Sequence, residues 1–122
     1  MTEPTVESTM TTEVHSVRPA TPVAAILELL TRHRISAVPV LDDADRPLGV
    51  VSEGDILAVA ARPGPAPAAA NLMNRPVITI HPTEPRSAAA RRLSKEGIRR
   101  LFVVDQHGTL VGVVARRDLL AD

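Results

Sequence analysis

The sequence contains no cysteine and almost no aromatic residues, since Phe102 is the single aromatic among its 122 residues. Without cysteine the chain can form neither disulfides nor thiolate metal sites, and a cysteine nucleophile is excluded. Proteins that bind single-stranded nucleic acids usually stack bases on aromatic side chains, so we expect no nucleic-acid partner. No apolar run approaches a membrane span and no signal-like leader opens the chain, so we expect a cytoplasmic protein without membrane contact.

Charge is balanced over the whole chain but unevenly distributed along it. Residues 1–61 carry four Lys and Arg against nine Asp and Glu, whereas residues 62–122 carry ten against five. This asymmetry favours a local anion site, or attraction between opposite halves of two protomers in a head-to-tail homodimer. The positive half contains the pairs Arg91-Arg92, Arg99-Arg100 and Arg116-Arg117. The first pair lies mid-helix and is equally explained as a solvated helix face.

An internal repeat organises the sequence. Residues 10–59 align without a gap on residues 73–122, at an offset of 63, and fifteen of the 50 aligned residues are identical. Unrelated segments of this composition would match at about four positions. The chain is therefore a duplication of one structural element.

Each copy predicts the order β-α-β-β-α. The first long helix runs to about Arg34, with Thr21 as a suitable N-cap and a proline at its first position. The matching helix ends near Glu96, with Gly97 as a left-handed cap. The apolar face of the helix in the first copy consists of Val23, Ile26, Leu27 and Leu30. Short helices over Glu53–Ala61 and Arg116–Leu120 close the copies.

The predicted strands are short and apolar, and Asp- and Gly-rich turns join the last two of each copy. They cover residues 14–17, 38–41 and 48–51, and then 77–80, 101–104 and 111–114. We assign a flexible tail to residues 1–9, a first repeat to 10–61, a linker to 62–72 and a second repeat to 73–122. Alternating prolines exclude a regular helix from residues 62–70. One copy is too small to fold alone, so we expect the sheets of the two copies to pair face to face and bury their apolar surfaces.

Two stretches of each copy resemble the cystathionine-β-synthase (CBS) domain, a family that occurs as tandem pairs called Bateman modules. The stretches are Ile35-Ser36-Ala37-Val38-Pro39-Val40 with Gly49-Val50-Val51-Ser52-Glu53-Gly54-Asp55-Ile56-Leu57, and Ile98-Arg99-Arg100-Leu101-Phe102-Val103 with Gly112-Val113-Val114-Ala115-Arg116-Arg117-Asp118-Leu119-Leu120. The resemblance covers residues 10–122. It implies an α/β (α+β) fold of two β-α-β-β-α CBS repeats, packed sheet to sheet in a pseudo-twofold arrangement.

The resemblance also implies a regulatory module, with no enzymatic activity, that binds AMP, ADP, ATP or S-adenosylmethionine in a cleft between the repeats. In the family pattern a Ser or Thr meets phosphate at a helix start, where free N–H groups favour anions. An Asp three residues later accepts hydrogen bonds from the ribose, which suits an ionised carboxylate. Ser52 and Asp55 match both positions. The second copy keeps Asp118 but has Ala115 in place of the hydroxyl.

The remaining site residues come from the same resemblance. Arg100, Arg116 and Arg117 are candidates to replace the missing hydroxyl, with Arg99 beside them. The resemblance places near the nucleotide the polar residues of the first strand of each copy. It also places there the histidine that follows this strand in the second copy. Apolar residues would line the base pocket. The polar set is Ser16, Thr79 and His81, and the apolar set is Val17, Val38, Pro39, Ile80 and Leu101.

Structural interpretations stand beside these functional ones. Ser52 with Asp55 is also an ordinary helix start, with a serine N-cap and an acid in the first turn. Gly49 and Gly112 are better explained by the backbone of the strand than by phosphate binding. The loss of a hydroxyl at Ala115 favours a second function, a homodimeric interaction scaffold that binds no metabolite. The histidines are scattered along the sequence, so we expect no metal site. We also expect no resident cofactor. The sequence contains no acid–base pair of the kind that catalysis needs, so we do not expect an enzyme.

Overall fold

The computed structural model describes residues 3–120, which divide into two compact units. The first unit comprises residues 15–77, and the second comprises residues up to 14 together with those from 78 onward. The elements in chain order are α1 (Val6–Thr9), α2 (Val23–His33), β1 (Ala37–Leu41), β2 (Pro47–Ser52), α3 (Glu53–Ala60), α4 (Ala69–Leu72), β3 (Thr79–Ile80), α5 (Arg86–Glu96), β4 (Arg100–Val104), β5 (Leu110–Ala115) and α6 (Arg116–Leu120). The α+β class is confirmed. Within the described residues, every helix is too short or too polar to traverse a bilayer.

The first unit is built on the antiparallel hairpin of β1 and β2, in which Ala37 pairs with Ser52 and Val40 with Gly49. Val17 adds a parallel bridge to Val40. Helices α2, α3 and α4 cover this small sheet, because each presents apolar side chains that water would otherwise surround. The buried core consists of Val17, Ile26, Leu30, Val38, Val40, Val51, Ile56, Ala69 and Leu72.

The second unit repeats this plan at the 63-residue offset. Strand β3 lies parallel to β4, and β4 pairs with β5 in an antiparallel hairpin. Arg100 pairs with Ala115 and Val103 with Gly112, which is the register of the first hairpin. The core consists of Val6, Ile80, Ala89, Leu93, Leu101, Val103 and Val114.

Each segment that precedes a repeat packs in the unit formed by the other repeat, and we call these two the exchanged segments. The segment before the second repeat packs on the first unit, and the segment before the first repeat packs on the second unit. Four antiparallel bridges hold them, Pro22–Ala68 and Val50–Asn74 in the first unit and Thr5–Pro85 and Thr11–Val113 in the second. Residues 10–14 and 73–77 therefore lie in the opposite units from those that the repeat boundaries 10–61 and 73–122 indicate.

The flexible tail expected over residues 1–9 is wrong for the part that the structure describes. Residues from Val6 form the short helix α1, and the Val6 side chain is completely buried. Glu3 accepts hydrogen bonds from the Ser87 backbone amide at 2.7 Å and from its hydroxyl at 3.0 Å. Burial of an apolar side chain and pairing of polar groups order this segment. Met1 and Thr2 lie outside the described residues.

Helix α2 begins one residue later than expected, and its N-cap is not Thr21. Pro22 occupies the N-cap position without a side-chain cap. The Thr21 hydroxyl accepts a hydrogen bond from the Arg18 backbone amide at 2.9 Å. The Val23 amide, which a cap could satisfy, donates to the Pro67 carbonyl at 3.0 Å. A linker residue distant in sequence has therefore replaced the local cap.

Two further predictions in the first unit need correction. Ile26 and Leu30 are buried, but Leu27 is 48% exposed and does not share their face. The strand predicted over residues 14–17 is reduced to the single bridge at Val17. Its counterpart in the second unit forms the two-residue strand β3 within the predicted range 77–80.

The turns of both hairpins are held by an aspartate. Asp42 accepts hydrogen bonds from the amides of Ala44 and Arg46 at 2.8 and 2.9 Å. Asp105 accepts from the amides of His107 and Thr109 at 2.8 and 3.0 Å. These backbone donors favour the ionised form and lower the pKa of both carboxyl groups. Turn chemistry therefore accounts for these acids, as the sequence indicates.

Close backbone approach explains Gly49 and Gly112. A Cβ on Gly49 would lie 2.9 Å from the Asn74 carbonyl oxygen and from the Cβ and Cγ of Met73. A Cβ on Gly112 would lie 2.6 Å from the Met10 sulfur. The exchanged segments thus cross directly over these glycines, which is the backbone requirement that the sequence suggests.

Candidate functional site

The Ser52–Asp55 motif of the first unit forms a reciprocal cap at the start of α3. The Ser52 hydroxyl accepts a hydrogen bond from the Asp55 amide at 3.3 Å, and the Ser52 amide donates to Asp55 Oδ2 at 2.7 Å. The Ser52 hydroxyl also lies 2.9 Å from Oδ2 and donates its proton there. The structural role considered for this pair is therefore present, and both polar groups of the motif are engaged by each other.

Asn74 completes the environment of Asp55. Its side-chain amide nitrogen lies 3.0 Å from Oδ1 and 2.9 Å from Oδ2 of the carboxylate. The Asn74 backbone is fixed by two hydrogen bonds with Val50, one in each direction, at 2.9 and 3.0 Å. Asn74 was not among the predicted site residues. The signal that was available is that the repeat aligns it with Thr11, so the two copies differ at this position.

The corresponding site of the second unit is much less occupied. Asp118 Oδ2 accepts one hydrogen bond, from the Ala115 amide at 2.8 Å. Across residues 3–120, Oδ1 of this half-buried carboxylate accepts none. Thr11 is bridged to Val113 just as Asn74 is bridged to Val50, yet it makes no hydrogen bond to Asp118 within the same range. The two units therefore hold their motif aspartates in different states.

A reciprocal exchange of residues accompanies this difference. In the first unit Ala37 pairs across the hairpin with Ser52, whereas in the second Arg100 pairs with Ala115. The copy that lacks the hydroxyl thus has a guanidinium on the facing strand. Burial, and then the charge of Arg99, lower the pKa of Arg100.

The arginines after β5 have distinct positions. Arg116 places its amide 3.2 Å from the Arg99 carbonyl oxygen, and its Nε donates to the Ile98 carbonyl at 3.3 Å. Arg99 and Arg117 are exposed. The second copy therefore carries positive residues at positions where the aligned residues of the first copy are uncharged or, at Glu53, negative.

The polar residues predicted on the first strands lie at the surface of their units. Ser16 and Thr79 are half-buried, one just before the Val17 bridge and the other in β3. The backbone amide of the exposed His81 donates to Glu84 Oε2 at 2.9 Å, and its ring Nδ1 lies 3.1 Å from the Val104 carbonyl oxygen. Contact of these residues with a nucleotide stays a prediction.

The apolar residues predicted for the base pocket are all buried within their own units. Val17 and Val38 belong to the core of the first unit, and Ile80 and Leu101 to that of the second. Pro39 is also fully buried. Packing explains these residues without a ligand, so their role as a pocket lining stays a prediction as well.

One contact between histidines was not predicted. The rings of His15 and His33 stack at a centroid distance of 3.6 Å and an interplanar angle of 18°. Parallel stacked rings direct their nitrogen lone pairs along parallel planes and do not converge on one ion. The pair therefore adds packing between the segment before Val17 and the end of α2.

The fold and these paired sites define a tandem α+β repeat protein with one motif aspartate in each unit. The model of the CBS domain matches residues 6–62 and 69–121, and the chain belongs to this family as a tandem CBS pair. The CBS domain-containing protein YhcV of Bacillus subtilis is 31% identical over 93% of this chain and 81% of its own length.

Two solved structures are similar over nearly the whole chain. CBSX2 of Arabidopsis thaliana, crystallised with AMP, is 32% identical, with a TM-score of 0.85 over 96% of this chain and 93% of its own. The cytosolic domain of the Mg²⁺ channel MgtE, crystallised with ATP, is 30% identical, with a TM-score of 0.79 over 91% of this chain and 45% of its own.

The first curated relatives are longer proteins. The chain spans 48% of the uncharacterized protein MK0525 of Methanopyrus kandleri and 24% of a homoserine O-acetyltransferase of Methanococcoides burtonii. The similarity therefore concerns the CBS pair within larger chains.

Proposed function

We propose that the protein is a regulatory module that binds a phosphorylated adenosine ligand, with Asp118 as its ribose acceptor. The observation that carries this proposal is that the Asp118 carboxylate accepts a single hydrogen bond within the described residues, from the Ala115 amide. Ala115 pairs with Arg100 on the neighbouring strand. A carboxylate with open acceptor positions suits a ribose diol, and a guanidinium suits phosphate. Relatives crystallised with AMP and ATP support the ligand class.

Charge favours phosphorylated ligands over S-adenosylmethionine. The residues at the start of β4 and α6 in the second unit include four arginines and the proposed ribose acceptor: Arg99, Arg100, Arg116, Arg117 and Asp118. AMP, ADP and ATP are anions, whereas S-adenosylmethionine carries a cationic sulfonium and an ammonium group. Positive side chains attract the first class and repel the second.

The module would act by changing the populations of its conformations. A ligand shifts such an equilibrium only by the difference between its affinities for the two states. We propose no catalytic step, because a carboxylate that accepts from a ribose and a guanidinium that holds a phosphate bind the ligand without activating a bond. The regulated protein would read the ligand-dependent conformation.

A calorimetric and thermal-shift panel of AMP, ADP, ATP, S-adenosylmethionine and NAD tests the proposal. A ligand at 100 times its dissociation constant raises the stability of the protein by about 2.7 kcal/mol, which gives a measurable rise in melting temperature. We expect the adenosine phosphates to bind and the D118N variant to lose this binding. The side-chain oxygen of the substituted amide can still accept from the Ala115 amide, so the helix start is preserved while the second carboxylate oxygen is replaced by a donor.

Asp43→Asn is the matched control for D118N, since Asp43 is an exposed turn acid with the same loss of charge. It should bind AMP like the wild type. A wild-type protein that binds no member of the panel, or a D118N variant that binds AMP unchanged, contradicts the proposal.

A homodimeric interaction scaffold is the second candidate, and the exposed leucines favour it. Leu27, Leu57 and Leu120 are 48, 73 and 83% exposed. Leu57 and Leu120 occupy equivalent positions of α3 and α6, so both copies present a leucine at the same place. Association of two protomers through these side chains would remove their apolar surface from water.

Sedimentation analysis of the wild type and of L57E/L120E tests this candidate. A scaffold gives a dimer that the double substitution dissociates, with no response to the ligand panel. The opposite charges of the two halves predict a head-to-tail dimer that weakens as salt is added. A monomer at all concentrations contradicts the dimer.

A further inference from the structure

We infer that Asn74 is a latch that keeps Asp55 from accepting a ligand, so that the protein binds adenosine phosphate at Asp118 alone. The inference rests on the proposed function and adds to it a residue that decides which of the two motif aspartates is available. Asn74 lies outside the Ser52–Asp55 motif, so the motif itself does not indicate this residue.

The two carboxylates differ in how many donors already contact them. An ionised carboxylate offers about four acceptor positions. Three groups donate to Asp55: the Ser52 amide and hydroxyl, both to Oδ2, and the Asn74 side-chain nitrogen, which lies 3.0 Å from Oδ1 and 2.9 Å from Oδ2. Asp118 accepts one hydrogen bond, on Oδ2. A ribose could hydrogen-bond to Oδ1 of Asp118 directly, whereas at Oδ1 of Asp55 it must compete with Asn74.

Asn74 closes the carboxylate oxygen that the helix cap leaves open. Both Ser52 contacts go to Oδ2 of Asp55, and the cap contact from Ala115, which lacks a hydroxyl, also goes to Oδ2 of Asp118. Within the described residues, the donor to Oδ1 of Asp55 is Asn74. The closure of this oxygen therefore comes from the exchanged segment, through one side chain.

The backbone fixes the position of the Asn74 side chain. Two backbone hydrogen bonds hold Asn74 opposite Val50, two residues before Ser52. Thr11 is held opposite Val113 by two equivalent bonds of 2.9 Å. Since the backbones correspond, the two exchanged segments differ at this position only in carrying an asparagine or a threonine side chain. The two residues can therefore be exchanged in both directions.

Exchange of the two residues is the test, with AMP and adenosine as probes in calorimetric titrations. The wild type should bind one equivalent. Asn74→Thr should add a second class of sites that is weaker for AMP, because no arginine faces Ser52. Thr11→Asn should install a latch on Asp118 and weaken AMP binding about tenfold, the effect of a displaced hydrogen bond to a charged group.

Circular dichroism and thermal unfolding establish that both variants are folded, and D118N identifies which site remains. In Asn74→Thr combined with D118N, the binding that persists is that of Asp55. A wild type that binds two equivalents overturns the latch. So does either exchange variant that titrates like the wild type, since AMP binding itself then survives. A wild type that binds neither probe overturns the proposed function instead.

Discussion

The two units share a backbone plan, yet their motif aspartates are in opposite states. Asp55 is surrounded by donors from Ser52 and Asn74, and Asp118 by a single backbone amide. The first unit has kept the hydroxyl of the motif and closed the carboxylate. The second has lost the hydroxyl, gained Arg100 and left the carboxylate open. Completeness of the motif in sequence therefore does not decide how open its carboxylate is.

Substitution of the two crossing glycines gives the largest expected effect. In Gly49→Ala the new methyl would meet the Asn74 carbonyl and the Met73 Cβ, neither of which can move without the backbone. In Gly112→Ala the methyl would meet the Met10 sulfur at 2.6 Å, which a flexible side chain can relieve, and the Thr11 carbonyl oxygen at 3.0 Å, a backbone contact slightly looser than that at Gly49. We expect losses of about 3 kcal/mol for Gly49→Ala and about 2 kcal/mol for Gly112→Ala. Urea unfolding measures both, and a larger loss in Gly112→Ala contradicts this order.

Neutralising each motif aspartate should give the next largest difference between the units, in AMP affinity. D118N removes an acceptor from the proposed ribose contact, so AMP affinity should fall about 30-fold, or about 2 kcal/mol. D55N changes a carboxylate that the latch already occupies and should leave AMP affinity within about twofold of the wild type. Calorimetry measures both, and a larger loss in D55N would reverse the assignment.

The ends of the two long helices provide a smaller contrast. Both α2 and α5 end in a left-handed residue, but this is Arg34 (φ 54°) in one and Gly97 (φ 64°) in the other. Glycine adopts this conformation without strain. Arg34→Gly should stabilise the protein by about 0.5 kcal/mol, and Gly97→Ala should destabilise it by about 1 kcal/mol. Urea unfolding of both variants measures these changes, and a stabilised Gly97→Ala would contradict them. A Cβ at Gly97 meets no atom within 4 Å, so the loss would be a backbone effect.

The turn aspartates should give the smallest effect and the one most alike in both units. Hydrogen bonds from backbone amides lower the pKa of each carboxyl group. The largest contribution comes from the Arg46 amide at Asp42 and from the His107 amide at Asp105. A depressed folded-state pKa contributes stability above the unfolded pKa, and that stability is lost as pH falls through the folded value. D42N and D105N should each flatten the acid side of a plot of melting temperature against pH. Unchanged acid sensitivity in both variants contradicts this cause.

Local patterns predicted much of the fold. The two hairpins, the long helices and the cap at Gly97 follow from apolar periodicity and turn chemistry, which act over a few residues. The exchange of segments could not be predicted in this way. Val6 enters the core beside Ile80, and Pro67 satisfies the Val23 amide, and both contacts join residues far apart in sequence.

The same distinction applies to the candidate site. Ser52, Asp55 and Asp118 lie within a compact motif and could be selected from the sequence. Asn74 could not, because its contact with Asp55 spans 19 residues and depends on the exchanged segment. Comparison of the aligned copies, which places Asn74 against Thr11, was the one available signal.

Backbone amide shifts during an AMP titration test the central claim most directly. The Ala115 and Ser52 amides are matched reporters, since each donates to the aspartate of its own unit, at 2.8 and 2.7 Å. We predict that the Ala115 resonance moves with saturation while the Ser52 resonance stays in place. Movement of Ser52 with Ala115 unchanged would contradict it.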